Sequence, residues 1–336
     1  MKLSMDTISY AGYFTDGEHV PIEEAMRRAA RYGFDAIDVF AHRPMAFPMD
    51  LDADRRKRIV DLAKSLDLEL AAVECCTNFM KPDHVLVYTR EKEILYVKEA
   101  IQLAKDLNMG IVRVLAAFLG YFQNPYAGQG YGNPAFHSRS MSVSQNRDWL
   151  EQWHAVKDGL REVSLMAQDQ GVTLALQTHP EITCNNEETL EMIDEVGVDS
   201  LKVGLDLPLF ESQKDQFVRN TVLSMKGLMV HSHSISIATK ATVGGAVFGW
   251  DEVVPGSDKD PCNWPVFFQA CKDIGYKGYL AHEQCSPIIV KGHKIADLAE
   301  IDRRNIQAIN YLKGLLIDLD YYGGHKPYEV LPVDEG

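Results

Sequence analysis

Short β-like runs alternate with amphipathic helical stretches eight times along the chain, and nothing else in it narrows the fold as far. Parallel strands need long crossover connections, which helices supply, so this alternation predicts an α/β fold with a parallel sheet. The runs are Leu3–Ser9, Ala36–Phe40, Leu68–Val73, Ile111–Ala116, Val172–Gln177, Leu201–Leu205, Leu228–His233 and Gly278–Glu283. Predicted helices lie between them, the clearest at Arg90–Leu107, Arg147–Gln170, Asn186–Val196 and Trp264–Ile274, with a last one near Ile301–Leu316. Eight units in 336 residues predict a single (β/α)8 TIM barrel spanning 1–336. A doubly wound sheet shares the alternation, and strand order is not written in the sequence.

Two connections exceed ordinary strand-to-helix loops. They cover residues 117–146 and 234–263, both following predicted strands, so both belong on the barrel face where active sites are built. Their glycines and aromatics suit a lid or a partner surface. The GQGYG stretch lacks the G-x-G-x-x-G spacing and the preceding strand of a dinucleotide fingerprint, so no nicotinamide cofactor is expected. The tail through HKPYEVLPVDEG is expected to be irregular.

The net charge of −14 disfavours nucleic acid and anionic membranes, which both select basic surfaces. A neutral small molecule fits better. The chain starts MKLSMDTISYAGYF, without a basic segment leading into an apolar one, and no apolar run approaches membrane-spanning length. Six cysteines without C-x-x-C pairs read as free thiols, and the expected compartment is the cytoplasm.

Side chains alternate faces along a strand, so parity separates barrel interior from exterior. In Val172–His179 the even positions Val172, Leu174 and Leu176 would pack against helices, turning Gln177 and His179 inward. In LKVGLD the inward set includes Gly204 and Asp206. In LMVHSH it includes His231 and His233, and in GYLAHE it includes Glu283. Four consecutive strands thus end in polar groups aimed at one axis. Two carboxylates and an imidazole converging there suit a divalent cation with mixed oxygen and nitrogen ligands, Mn²⁺ first, with Mg²⁺, Co²⁺ or Zn²⁺ as alternatives. Taken singly, each has an ordinary structural explanation: an Asp after a strand caps a helix or forms a turn, and a lone His satisfies the core.

At GVTLALQTHP, LKVGLDLP, MVHSHS and IGYKGYLAHEQCSP the chain resembles the xylose isomerase-like, or sugar phosphate isomerase/epimerase, superfamily of TIM barrels. That resemblance implies a metal held by a Glu, an Asp, a His and a Glu from successive strand ends. The matching positions are Gln177, Asp206, His233 (or His231) and Glu283. Gln177 departs from the pattern, since an amide oxygen binds a hard cation without adding charge. A metal-free, non-catalytic sugar-binding or scaffold subunit therefore remains an alternative.

AHRPMAFPMDLDADRRKRI, LALQTHP and HEQCSP are also similar to the large subunit of bacterial C-glycoside deglycosidases. This implies a 3-oxo C-glycoside substrate, a Mn²⁺-like metal, a small β-rich partner subunit and elimination of the aglycone after proton abstraction beside the ketone. Isomerisation, epimerisation or dehydration of a keto sugar or inosose begins with the same abstraction. A base with pKa near neutrality favours His. His179 is the candidate, with His137 in the long loop as second base or as acid toward the leaving group. His42, Arg43 and Glu74 are expected to contact substrate, Glu74 also serving as a reserve acid or base.

Overall fold

A computed structural model describes residues 1–81, 88–118, 149–179, 182–239, 242–243, 246–247, 250–286, 288–290 and 294–333. Strands β1 (Lys2–Asp6), β2 (Ala36–Phe40), β3 (Glu69–Glu74), β4 (Ile111–Leu115), β5 (Thr173–Gln177) and β6 (Leu201–Gly204) pair in parallel, each with the next. The seventh position is divided. β7 (Met229–His231) pairs with β6, and the chain passes Ser232 into β8 (His233–Ser234). Four short ribbon strands follow, β9 (Ser236–Thr239), β10 (Thr242–Val243), β11 (Ala246–Val247) and β12 (Trp250–Val253), before β13 (Tyr279–His282). β13 pairs with both β8 and β1. The sheet runs β7-β6-β5-β4-β3-β2-β1-β13-β8, and its two ends are halves of one segment, so the α/β barrel closes through Ser232.

Local chemistry sets the helix ends. α1 (Ile22–Tyr32) follows Pro21, carries Glu23 and Glu24 in its first turn, and stops at Gly33, whose φ of 83° suits glycine. α2 (Ala53–Ser65) starts where the Asp52 carboxylate accepts from the Arg55 N–H at 2.7 Å. α3 (Thr89–Asp106) and the helix Trp149–Gln170 pack side by side outside the barrel. The first strand is shorter than its apolar run. Asp6 Oδ1 accepts from the Ile8 N–H at 2.8 Å and turns Thr7–Tyr10 into a 3-10 helix.

Outward strand residues such as Leu174, Leu176, Val203, Leu205 and Leu280 are fully buried in one apolar core beneath the helices. The chain's own tail has no regular element but is tied to Asp35, just before β2. Buried Asp35 accepts from Leu3 N (3.0 Å), Tyr322 Oη (2.7 Å), His325 N (3.1 Å) and Lys326 N (3.1 Å). A Cβ at Gly324 would collide with that carboxylate, so only glycine lets the tail approach. Of the two long connections, residues 119–148 lie outside the described residues, and 234–263 holds the ribbon strands. None of the six cysteines is in a disulfide. Among the described residues no helix is long and apolar enough to cross a membrane.

Candidate active site

Every barrel strand turns a polar side chain inward: Asp6, Asp38, Glu74, Arg113, Gln177, Asp206, His231, His233 and Glu283, each at most 4% exposed. Two residues further along the same faces come Ile8, Phe40, Cys76, Leu115, His179, Ile235 and Cys285, which line a cavity of about 350 Å³. The barrel mouth is thus a mostly apolar collar over a charged floor. Arg113, Gln177, Asp206 and Glu283 reach the cavity from that floor.

Five buried carboxylates against one guanidinium is an unbalanced set, and ions removed from water each cost several kcal/mol unless paired. The pairing follows two overlapping groups whose ligand atoms lie within 4.8 Å: Asp38, Glu74, His231 and His233, and Asp206, His233 and Glu283. In the first, His231 Nε2 lies 2.7 Å from Asp38 Oδ2 and 3.3 Å from Glu74 Oε1. Glu74 Oε2 lies 2.5 Å from Arg113 Nε and 3.3 Å from His233 Nε2. In the second, Asp206 Oδ1 accepts from the His233 backbone N–H at 2.8 Å, and Asp206 Oδ2 lies 3.6 Å from His233 Nδ1. Gln177 Nε2 donates to the same Asp206 Oδ2.

Proton affinities follow from this geometry. Burial pushes Asp6 well up, helped by Glu74 and Glu283, and raises Glu283 and Asp38 as well. Burial works against Glu74 too, yet Arg113 and His233 hold it well below the usual carboxylate range. Asp206 is likewise lowered against its burial by His233. The imidazoles shift the other way: against burial, Asp38 and Glu74 raise His231 to about 9, and Glu74, Asp206 and Glu283 raise His233 well above its ordinary value.

The donor set suits a cation. Both ring nitrogens of His233 are buried without a well-formed hydrogen bond although carboxylates surround them. Asp206, His233 and Glu283 offer two carboxylates and an imidazole, and Gln177 adds an amide oxygen, which is a mixed hard and borderline set. A cation and a proton compete for the same imidazole nitrogen.

Of the residues singled out from the sequence, Gln177, Asp206, His233, Glu283 and His179 converge here, and His231 lies beneath. His179 is 5% exposed, with its ring edge-on to Phe118 at 4.9 Å and its backbone N–H donating to Thr183 O at 2.9 Å. His42 lines the cavity. Its Nε2 accepts from the Cys76 N–H at 3.0 Å, and burial with Arg113 nearby lowers its pKa to about 4, so it is neutral at pH 7. Arg43 does not join the cavity lining: its side chain is 69% exposed, pairs with Asp50 at 2.5 Å and lies over the Phe47 ring. Glu74 is fully buried and also absent from the lining, because Arg113 and the two histidines hold it in the floor. His137 lies outside the described residues. Asp6, Asp38 and Arg113 escaped the sequence reading, although a lone charge inside the apolar runs AIDVF and IVRVL was a usable signal.

A fructoselysine 3-epimerase from Shigella flexneri is 34% identical over 117 residues, 34% of this chain. The match spans 42% of that curated relative, about two fifths of its length. Among solved structures, a D-psicose 3-epimerase determined in the presence of D-fructose superposes with a TM-score of 0.66 at 17% identity, over 94% of this chain and 99% of that one. The 3-keto-D-glucoside 4-epimerase from E. coli superposes with a TM-score of 0.63 at 14% identity, over 94% and 99%. Likeness at such identity shows a shared fold. The xylose isomerase-like TIM barrel model matches residues 26–309, and the chain belongs to that family.

Proposed function

We propose that the protein is a divalent-metal-dependent isomerase or epimerase of a keto sugar, working by proton abstraction beside the carbonyl. The observation that carries this reading is the Asp206–His233–Glu283 group, with Gln177 against it, at the floor of a cavity that His179 also lines. The names of the similar proteins, a fructoselysine 3-epimerase and a D-psicose 3-epimerase, point the same way. Asp206, His233, Glu283 and Gln177 would hold the metal, Mn²⁺ being our choice. Bound there, it would supply Lewis-acid stabilisation to charge developing on the substrate carbonyl oxygen. His179 is the proposed base, since an imidazole is matched to proton transfer near neutral pH. Glu283 opens on the same cavity from another strand as an ionised ligand, so the proton taken by His179 returns to the substrate from that imidazole. The apolar collar of Ile8, Phe40, Leu115 and Ile235 keeps water from the reacting carbon.

A second reading, cleavage of 3-oxo C-glycosides with a small β-rich partner subunit, draws support from the aromatic side of the cavity. Tyr13, Phe14 and Phe40 form an edge-to-face cluster with centroids 6.4 and 6.0 Å apart, a surface matched to a planar aglycone.

The test begins with metal content of wild type, Asp206→Ala and Glu283→Ala at matched fold. Near-stoichiometric metal lost in both variants is expected. Candidate keto sugars are then incubated in D₂O with the metal-loaded protein. An isomerised or epimerised product that carries deuterium beside the ketone, lost in His179→Gln, supports the isomerase reading, and released aglycone from a 3-oxo C-glycoside supports the second. A folded wild type that takes up no divalent metal sinks both.

A further inference from the structure

The floor of the barrel contains a second group of ionisable side chains, Asp38, Glu74 and His231, that lies below the cavity and lines none of it. Its members form a continuous series from β2 to β8: Asp38 to His231 (2.7 Å), His231 to Glu74 (3.3 Å), Glu74 to His233 (3.3 Å). Each of the four is at most 1% exposed, so these contacts are shielded from bulk solvent. Resting on the metal reading above, we infer that Glu74 is a positioning residue for His233. It takes the Nε2 side of the imidazole and leaves Nδ1, 3.6 Å from Asp206 Oδ2, to the cation. A ligating histidine is oriented by what its other nitrogen meets, and a carboxylate in that place also makes the ring a stronger donor.

Glu74 is approached at both oxygens. Arg113 Nε lies 2.5 Å from Oε2 and His231 Nε2 lies 3.3 Å from Oε1, while Asp38 on β2 lies 2.7 Å from the same His231 nitrogen. The alternative for this group is a second cation among Asp38, Glu74 and His231. Geometry argues against it: Arg113 Nε already lies 2.5 Å from Glu74 Oε2, and His231 Nε2 already lies 2.7 Å from Asp38 Oδ2, so these ligand atoms face one another. One cation per chain is therefore expected.

The experiment measures Mn²⁺ affinity by chelator competition, Mn²⁺ stoichiometry, and the visible absorption of the Co²⁺-loaded form. Wild type, Glu74→Gln and Asp38→Asn are compared at matched circular dichroism. Glu74→Gln is expected to weaken Mn²⁺ about 10- to 100-fold and to shift the Co²⁺ bands, as removal of an outer carboxylate does elsewhere. Asp38→Asn, acting through His231, should produce the same changes at smaller size. It carries the test if Glu74→Gln does not fold. Unchanged affinity and spectrum in a folded variant overturn the inference and leave the metal reading intact. Two equivalents of Mn²⁺ in wild type, lost to one in Asp38→Asn, overturn it in favour of a second site. No uptake by wild type removes the metal reading and this inference with it.

Discussion

Gln177→Glu places a carboxylate beside Asp206, and its effect should change sign with the metal. Gln177 now donates to Asp206 Oδ2, inside a floor where both residues are at most 4% exposed. Glutamate loses the donor and sets two carboxylates in contact. At about 3 Å and an effective dielectric near 20, their repulsion is about 5 kcal/mol. The chain need not bear all of it, because the introduced carboxylate can take up a proton instead. That cost is bounded at about 1.36 kcal/mol for each pH unit between its ordinary pKa near 4.3 and pH 7, about 4 kcal/mol in total. The folded pKa is raised above the unfolded one, so the folded state binds more protons and stability falls as pH rises. The metal-free variant should therefore lose about 2–4 kcal/mol against wild type at pH 7 and little near pH 5. A divalent cation removes the repulsion, and the same energy should appear as affinity roughly 30- to 1000-fold tighter. Urea unfolding with chelator at both pH values and chelator competition for Mn²⁺ measure the two halves. A variant with wild-type stability in chelator and wild-type affinity would show that Gln177 neither touches Asp206 nor faces the cation.

Other expectations follow from different parts of the barrel. Asp35→Ala removes a buried acceptor of four hydrogen bonds and should cost about 3–5 kcal/mol in urea unfolding while leaving metal stoichiometry untouched. A fall in bound metal at matched fold would instead couple the two ends of the barrel. His282 is 3% exposed, and burial lowers its pKa from 6.5 to about 4, with Nδ1 3.0 Å from Ser234 O. The unfolded chain protonates first, so stability should decline as pH falls from 6.5 to 4, by about 3 kcal/mol from this group. In His282→Gln that part of the slope should vanish, and an unchanged slope would assign the acid sensitivity elsewhere. Metal at about 100 times its Kd should add about 2.7 kcal/mol of stability, read as a chelator-sensitive rise of about 4 °C in Tm. Stoichiometric binding without that rise would mean that the cation prefers the folded site no more than the unfolded chain.

Much of the barrel was legible because its signals are local. Helix starts and stops sit at Asp52, Gly33, Asn185 and Gly197, where capping chemistry is carried by single residues. Outward strand faces announce themselves as Leu174, Leu176 and Val203. What was not legible depends on partners distant in sequence or on contacts that no pattern marks. Arg43 follows a strand end, as a substrate contact would, but Asp50 seven residues later draws its guanidinium into solvent. Glu74 has the inward parity of a cavity residue, and only the approach of Arg113 from the neighbouring strand, with two histidines from the seventh, places it in the floor. Strand parity applied to the first four strands as it was to the last four would have exposed Asp6, Asp38 and Arg113.

The two histidines of the seventh strand show the limit most clearly. His231 and His233 share parity, are both buried and have rings 4.9 Å apart, so alternation alone cannot rank them. Their difference comes from the break at Ser232. β7 takes its partner from β6, with His231 registered against Gly204, whereas β8 takes its partner from β13, with His233 registered against Ala281. The step carries His231 toward Asp38 and Glu74 and sets His233 between Glu74 and Asp206. Closing the barrel therefore does two jobs at once. It joins the sheet edges, and it hands one histidine to the floor and the other to the group that opens on the cavity. Register is a property of paired strands, which is why a single chain read by itself left this choice open.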